Sequence, residues 1–173
     1  GSIGGAIAMN RGCYGYEISQ IFSSLKAITL NGELKILNKD ELKFFYRGSN
    51  LDKNLIVLSV ILEGYPSDKD SIDSKKIKLL NEKKKSQPSK IKTCGSTFKN
   101  PINNKAWKLI KLSECTDLKI GGASISKQHC NFFLNEGEAS SSDIENLISE
   151  VKNKVFKKTG INLELELKII GKK

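Results

Sequence analysis

Apolar and polar positions change period along this chain, and the changes mark out its elements. Residues 21–29 and 33–37 read as two strands on either side of Asn31-Gly32, the strongest short hairpin signal, because both residues tolerate the left-handed backbone that a tight turn requires. Asp40-Glu41-Leu42 begins a short turn or helix, and Phe44-Phe45-Tyr46 carries the chain on to Arg47. Residues 55–62 form one continuous apolar run, which predicts a buried strand closed by Gly64-Tyr65-Pro66. A polar, lysine-rich helix is expected from about residue 68 to 85, with Asp68, Asp70 and Asp73 near the end where the helix dipole favours acid, and Ser86-Gln87-Pro88 stops it. Ala106-Trp107-Lys108-Leu109-Ile110 begins a short amphipathic helix with Trp107 in the core. Phe132-Phe133-Leu134 reads as a strand. Ser140-Ser141-Ser142-Asp143 caps a helix that runs to about Lys158, with Ile144, Leu147, Ile148, Val151 and Val155 at helical spacing and Gly160 as its stop. The last segment alternates as a strand does, Leu163, Leu165 and Leu167 on one face and Glu164, Glu166 and Lys168 on the other.

Composition narrows the class. At 173 residues the chain forms one domain or two small ones, and 38% hydrophobic with 28% charged residues describes a soluble globular protein. No apolar run approaches a membrane span, and residues 1–9 carry no basic region ahead of their apolar residues, so the expectation is a cytoplasmic protein without membrane partners. Cys13, Cys94, Cys115 and Cys130 form no Cys-x-x-Cys pair and the one histidine, His129, adjoins Cys130; this gives no metal site and no disulfide framework, and reduced thiols are expected. A net charge of +10 raises nucleic acid as a partner, but 27 of the 29 basic residues are lysines spread along the whole chain, which reads as compositional bias rather than a built patch. The charge suits anionic ligands such as a nucleotide diphosphate. In a chain so biased to lysine, an arginine at 47 implies that its planar fork is needed there.

Two stretches carry candidate chemistry. Gly1, Gly4, Gly5, Gly12 and Gly15 supply backbone able to pass close to a ligand, although such stretches are more often structural turns. Thr93-Cys94-Gly95-Ser96-Thr97-Phe98-Lys99-Asn100-Pro101 places a hydroxyl, an ammonium and an amide within five residues. Gly-Ser and Asn-Pro are also ordinary turn dipeptides, and spacing alone favours the turn. His129, at the entrance to a strand, reads as a hydrogen-bonded structural residue, although histidine titrates near neutral pH.

Gly95-Ser96-Thr97-Phe98-Lys99-Asn100-Pro101, preceded by Ser86-Gln87-Pro88, resembles the signature of the UDP-N-acetylenolpyruvoylglucosamine reductases, the flavoenzymes that complete UDP-N-acetylmuramate for peptidoglycan. Four further blocks resemble that family in the same order: Gly1-Ser2-Ile3-Gly4-Gly5 with Met9-Asn10 and Gly12; Tyr46-Arg47 with Ser49; Gly121-Gly122-Ala123 leading to His129-Cys130-Asn131-Phe132; and Leu163-Glu164-Leu165-Glu166. The resemblance implies an α+β chain: the C-terminal part of a two-subdomain FAD-binding fold of the PCMH/VAO type, followed by an α/β substrate-binding domain. It divides the chain into residues 1–65, a partial FAD-binding domain; 66–92, a helix and linker; and 93–173, the substrate-binding domain. The family begins with a further small subdomain bearing another FAD loop, to which nothing in the chain corresponds, and Gly1 stands inside a motif already under way, so a segment upstream is expected to be missing.

The implied activity is NADPH-linked, FAD-dependent reduction of UDP-N-acetylglucosamine enolpyruvate by a monomer. The resemblance assigns Arg47, Ser96 and Glu166 to catalysis, Gly5, Ala8, Arg11, Gly12 and Ile56 to FAD, and Lys99 and Asn100 to the substrate. Alternation alone makes Glu164 and Glu166 the wet side of a strand. Arg11 stands where the family has a small residue, and Thr116-Asp117 stands where it has a basic residue and a glycine, which puts a carboxylate near an expected diphosphate. Two other readings stay open on the sequence: an inactive fragment, and a related flavoprotein with another substrate. A lysine-rich nucleic-acid module gives no account of the ordered motifs.

Overall fold

Ser2 turns the glycine-rich start into a helix. Its Oγ accepts the Gly5 N–H at 3.1 Å and caps α1 (Ile3–Ala8), whose Ile7 is buried. The loop expected there is corrected: a cap and one apolar anchor outweigh the low helix propensity of Gly4 and Gly5. In this computed structural model, which describes residues 1–89 and 91–171, helices and strands mix in an α+β chain with two compact units, Gly1–Asp68 and Lys69–Lys173.

In the first unit α1 is followed by β1 (Gly12–Cys13) and β2 (Tyr16–Glu17), a small antiparallel pair, and then by β3 (Phe22–Thr29) and β4 (Leu34–Asn38), joined through Asn31-Gly32 as the sequence implies. β5 (Phe44–Phe45) and β6 (Gly48–Ser49) form a second short pair, and β7 (Leu55–Leu62) completes a three-stranded antiparallel sheet in the order β4-β3-β7. One face of that sheet carries the core: Ile7, Phe22, Leu25, Ala27 and Leu42 are buried, and Leu37, Leu55, Val57 and Val60 pack against them. Here a second expectation fails. No residue of β7 is buried, because the sheet is covered on one face only, so half of its apolar run faces outward.

The second unit begins with α2 (Lys69–Ser86), which buries none of its described residues and is the solvated helix its lysines predict. β8 (Lys92–Ser96), α3 (Ala106–Leu112), β9 (Lys119–Ile120), β10 (Ala123–Ile125), β11 (Phe132–Asn135) and α4 (Ser141–Thr159) follow. The strands form an antiparallel sheet in the order β8-β11-β10-β9, and α3 packs against α4. A reciprocal cap starts α4: the Asp143 N–H donates to Ser140 Oγ, and the Ser140 N–H donates to Asp143 Oδ2, which holds the Asp143 carboxyl below its ordinary value. Leu147, Ile148, Val151 and Val155 point inward as their spacing predicts.

Two expectations need correction in this unit. Trp107 is 39% exposed rather than core, because α3 buries Ala106, Leu109 and Ile110, one apolar stripe that Trp107 only flanks. Residues 163–168 form no ladder: among the described residues Leu165 makes a single bridge, to Phe98, and the chain then bends at Glu166 and Leu167. The expected two faces are kept only at its start, where Leu163 is buried and Glu164 exposed; Leu165, Glu166 and Leu167 are all half-buried. Among the described residues no helix is long and apolar enough to cross a membrane.

Candidate functional site

In the first unit, the glycine-rich segment is tied to the Arg47 turn. Arg47 occupies the two-residue connection between β5 and β6 at φ 55°, a left-handed conformation that costs a non-glycine residue roughly 1–2 kcal/mol. Its guanidinium is held within the unit: Nη2 donates to the Gly12 carbonyl at 3.2 Å, Nη1 lies 3.9 Å from Glu17 Oε1, and the group sits 5.0 Å from the centre of the Tyr46 ring. Gly12 is required by close approach, since a Cβ there would lie 2.8 Å from both the Tyr16 carbonyl and the Glu17 side chain. Buried Asn10 ties the pieces together: its Nδ2 donates to Glu17 Oε2 at 2.8 Å and to the Phe45 carbonyl at 3.1 Å, and its Oδ1 accepts the Ser19 N–H. Ser49 Oγ donates to the Ala8 carbonyl at 3.2 Å. Arg47 is thereby held in one orientation by its own unit.

In the second unit, Ser96 ends β8 just after Gly95, whose φ of +90° turns the strand in a way a side chain would resist. The next residues are held by one side chain, that of buried Asn131. Asn131 Nδ2 donates to the Phe98 carbonyl at 2.8 Å, its Oδ1 accepts the Phe98 N–H at 3.0 Å, and its own carbonyl accepts the Thr97 N–H at 2.7 Å. Opposite this clamp the chain end docks by backbone: the Glu166 N–H donates to the Thr97 carbonyl at 2.9 Å, and the Lys99 N–H to the Glu164 carbonyl at 2.8 Å. Ser96, half-buried, is therefore one residue from the point to which Glu166 is tied. Phe98, buried, packs edge-on against Phe133 with centroids 5.8 Å apart and fixes the inner side of the arrangement.

The sequence-predicted residues thus separate into three sets. Arg47 belongs to the first unit, beside Gly12 and near Ala8, with Gly5 and Arg11 exposed on the same segment. Ile56 lies apart from these: it is on the β7 face opposite Val57, which packs on the core. Ser96, Glu166, Lys99 and Asn100 are together in the second unit. Lys99 Nζ is 3.6 Å from Glu164 Oε2, and Asn100 Oδ1 accepts the Ala106 N–H at 3.0 Å, so this amide oxygen helps start α3. Asp117 is exposed in the turn before β9. A groove of about 410 Å³ is lined in part by Cys94 and Thr97, two residues before and one after Ser96, with Ser140, Ile144 and Leu167.

Sequence reasoning missed Glu17 and the work of Asn131. Glu17 gave no signal, since an acid in a polar turn is unremarkable. Asn131 lay inside a recognised block, and a hint existed: a polar amide just before an apolar strand has to find buried partners. His129 has a structural occupation. Its Nδ1 accepts the Asn131 N–H at 3.3 Å, its ring meets Phe132 edge-on, and burial pushes its pKa below the ordinary histidine value. The neutral imidazole thereby supports the clamp on Thr97 and Phe98.

Comparison with known proteins gives the same reading of the motifs. Residues 87–170 match the family model for the C-terminal domain of UDP-N-acetylenolpyruvoylglucosamine reductase. The UDP-N-acetylenolpyruvoylglucosamine reductase of Gluconobacter oxydans (strain 621H) is 44% identical over 173 residues, which span 100% of this chain and 56% of that protein. That of Pelagibacter ubique (strain HTCC1062) is also 44% identical, over 98% of this chain and 57% of its own length. The crystal structure of UDP-N-acetylenolpyruvylglucosamine reductase from Thermus caldophilus superposes with a TM-score of 0.84 at 31% identity, covering 96% of this chain and 59% of that one. The chain spans just over half the length of the curated relatives it matches.

Proposed function

The chain belongs to the UDP-N-acetylenolpyruvoylglucosamine reductase family, and from that premise we propose that it carries the proton-donating and enolate-stabilising groups of an NADPH-linked, FAD-dependent reduction of UDP-N-acetylglucosamine enolpyruvate. The observation that supports this reading is the backbone tie of Glu166 to the carbonyl of Thr97, the residue after Ser96, while Asn131 holds Thr97 and Phe98. Small residues at Gly5, Ala8 and Gly12, with Arg11 exposed beside them, fit a cofactor that combines a flat ring with a pyrophosphate, and they would hold FAD. When bound, the flavin supplies the hydride for the terminal vinyl carbon of the substrate.

The chain's own residues supply the rest. Hydride addition leaves negative charge on the neighbouring carbon and, by conjugation, on the carboxylate. Arg47, always charged and held by Glu17 and the Gly12 carbonyl, would face that carboxylate. Glu166 would assist as an acid or shared-proton partner, and Ser96 Oγ would give its proton to the enolate carbon, a base strong enough to take one from a hydroxyl. Lys99 and Asn100 would steady the substrate around them.

The test joins this chain to the part of the Gluconobacter oxydans relative that precedes its match to Gly1. In that chimera Ser96→Ala should lower turnover of the enolpyruvyl nucleotide by about 10²-fold or more, the range for losing a positioned acid, while NADPH still bleaches the flavin. If both half-reactions run unchanged, Ser96 is a turn residue and the assignment fails.

A further inference from the structure

Asn10 is 1% exposed, so each polar atom of its amide has to find a partner within the protein. The partners are informative. Nδ2 donates to Glu17 Oε2 at 2.8 Å and to the Phe45 carbonyl at 3.1 Å, so one buried amide joins the Glu17 carboxylate to β5, the strand that leads into the Arg47 turn. Oδ1 accepts the Ser19 N–H at 3.3 Å, in the turn that follows Glu17. The backbone of Glu17 is fixed as well, since it pairs with Gly12 across β1-β2 and its N–H donates to Gln20 Oε1 at 3.2 Å. A carboxylate held in this way has one oxygen on Asn10 and turns the other, Oε1, toward Arg47 Nη1 at 3.9 Å. Gly12 leaves the room for that approach. A Cβ there would stand 2.8 Å from Glu17 Cγ and 3.3 Å from Arg47 Nη1, between the two charged side chains.

We propose that Glu17, braced by Asn10, is a positioning residue of the reduction: it aims the Arg47 guanidinium and does not itself touch the reacting atoms. Stability gives a poor reason for the pair, because a partly exposed ion pair at this separation adds little to it. Aim gives a better one. Arginine is a long side chain with many rotamers, and its planar fork serves a developing enolate only when it already points there, since a misplacement of about 1 Å can cost about 100-fold in rate. The Gly12 carbonyl takes a proton of Nη2 and Glu17 draws Nη1, so the two together set the direction of the fork. A purely structural Glu17 would account for its backbone bonds and its bond to Asn10, but not for the oxygen that faces Arg47. The proposal rests on the reading that Arg47 meets the substrate carboxylate, and its test separates the two.

The experiment has two readouts. Arg11 and Arg47 are the only arginines, so isotope-labelled arginine in residues 1–173 gives two sets of guanidinium signals in nuclear magnetic resonance, with Arg47→Lys assigning them and exposed Arg11 as the reference. Glu17→Gln keeps an oxygen for Asn10 and removes the charge that faces Arg47. It should loosen the Arg47 signals toward those of Arg11 while the circular dichroism stays at that of the parent chain. In the chimera described above, Glu17→Gln should slow reoxidation of the reduced flavin by saturating enolpyruvyl nucleotide about tenfold, within the range for coupled neighbours. Bleaching by NADPH should be unchanged, and once Arg47 is replaced by lysine the second substitution should have no further effect. Unaltered Arg47 signals would overturn the proposal, as would a loss of rate that persists in full in the Arg47→Lys background. Loss of the fold in Glu17→Gln would make Glu17 a structural residue and overturn it too. If Arg47→Lys is slow and Glu17→Gln is not, only Glu17 loses its role; if Arg47→Lys reoxidises at the parental rate, the role given to Arg47 falls and this one with it.

Discussion

The two sheets of this chain are finished to different degrees. In the second unit, β8-β11-β10-β9 closes over a core that includes Phe98, Ile110, Leu147, Val151, Val155 and Leu163, all of them almost fully buried. In the first, β4-β3-β7 covers five buried residues and leaves its other face apolar and open. The second unit therefore has the means to hold its catalytic candidates by its own packing. The first holds Arg47 by a local polar cluster, Asn10, Glu17 and the Gly12 carbonyl, beside a sheet packed on one face. The contrast teaches that candidate site residues can be held either by a closed apolar core or by a local polar cluster, and that an apolar run alone does not say how many of its faces are buried.

The sharpest way to break the comparison is to empty the better core. Phe98→Ala should destabilise the second unit by about 3–5 kcal/mol, the usual cost of removing a buried aromatic ring. Trp107 is the one tryptophan of the chain and belongs to that unit, so denaturant unfolding followed by its fluorescence reads this unit separately. An unshifted midpoint would mean that the core around Phe98 does not hold the unit together.

A smaller effect sharpens the same contrast at the clamp. Asn131→Leu keeps the volume but leaves the buried N–H and carbonyl of Phe98 without their side-chain partner, and should cost about 2–4 kcal/mol, since each buried orphan is worth about 1–3. Hydrogen exchange at the Phe98 amide should accelerate with the loss. If protection of that amide is unchanged, the strand and not Asn131 holds the segment next to Ser96.

Much of this arrangement was legible in the residues, and what was not has physical causes. The period of Ile144, Leu147, Ile148, Val151 and Val155, its capping box and its glycine stop are local signals, and they fix α4. The Asn31-Gly32 hairpin is local in the same sense. The errors came where a distant partner decides. The exposure of Trp107 depends on which stripe of α3 meets α4, and the burial of β7 depends on whether both faces of its sheet are covered, which a run of apolar residues does not state. Residues 163–168 alternate like a strand, but their pairing with the Thr97–Lys99 segment stops at one bridge because the chain bends at Glu166 and Leu167. The motif blocks located Ser96, Arg47 and Glu166 as candidates. They said nothing of Glu17 or of the Asn131 clamp, because a hydrogen bond between residues 33 positions apart leaves no mark on spacing.

The smallest effect comes from pH and acts on the second unit. Burial holds the His129 pKa below the ordinary histidine value of about 6.5, so below that value the unfolded chain takes up a proton that the folded chain still refuses. The resulting stability is complete above about pH 6.5 and falls as the pH drops, until the folded imidazole is itself protonated. That protonation also removes the lone pair on Nδ1 that accepts the Asn131 N–H, so acid loosens the clamp it supports. His129 is the only histidine, and Asp143 and Glu136, both held below ordinary carboxylate values by their hydrogen bonds, titrate at lower pH. Between pH 7.5 and 5 the midpoint of the Trp107 transition should therefore decline in the parent chain and stay flatter in His129→Gln. Equal slopes in the two proteins would take His129 out of the account and leave Asn131 to hold Thr97 and Phe98 without it.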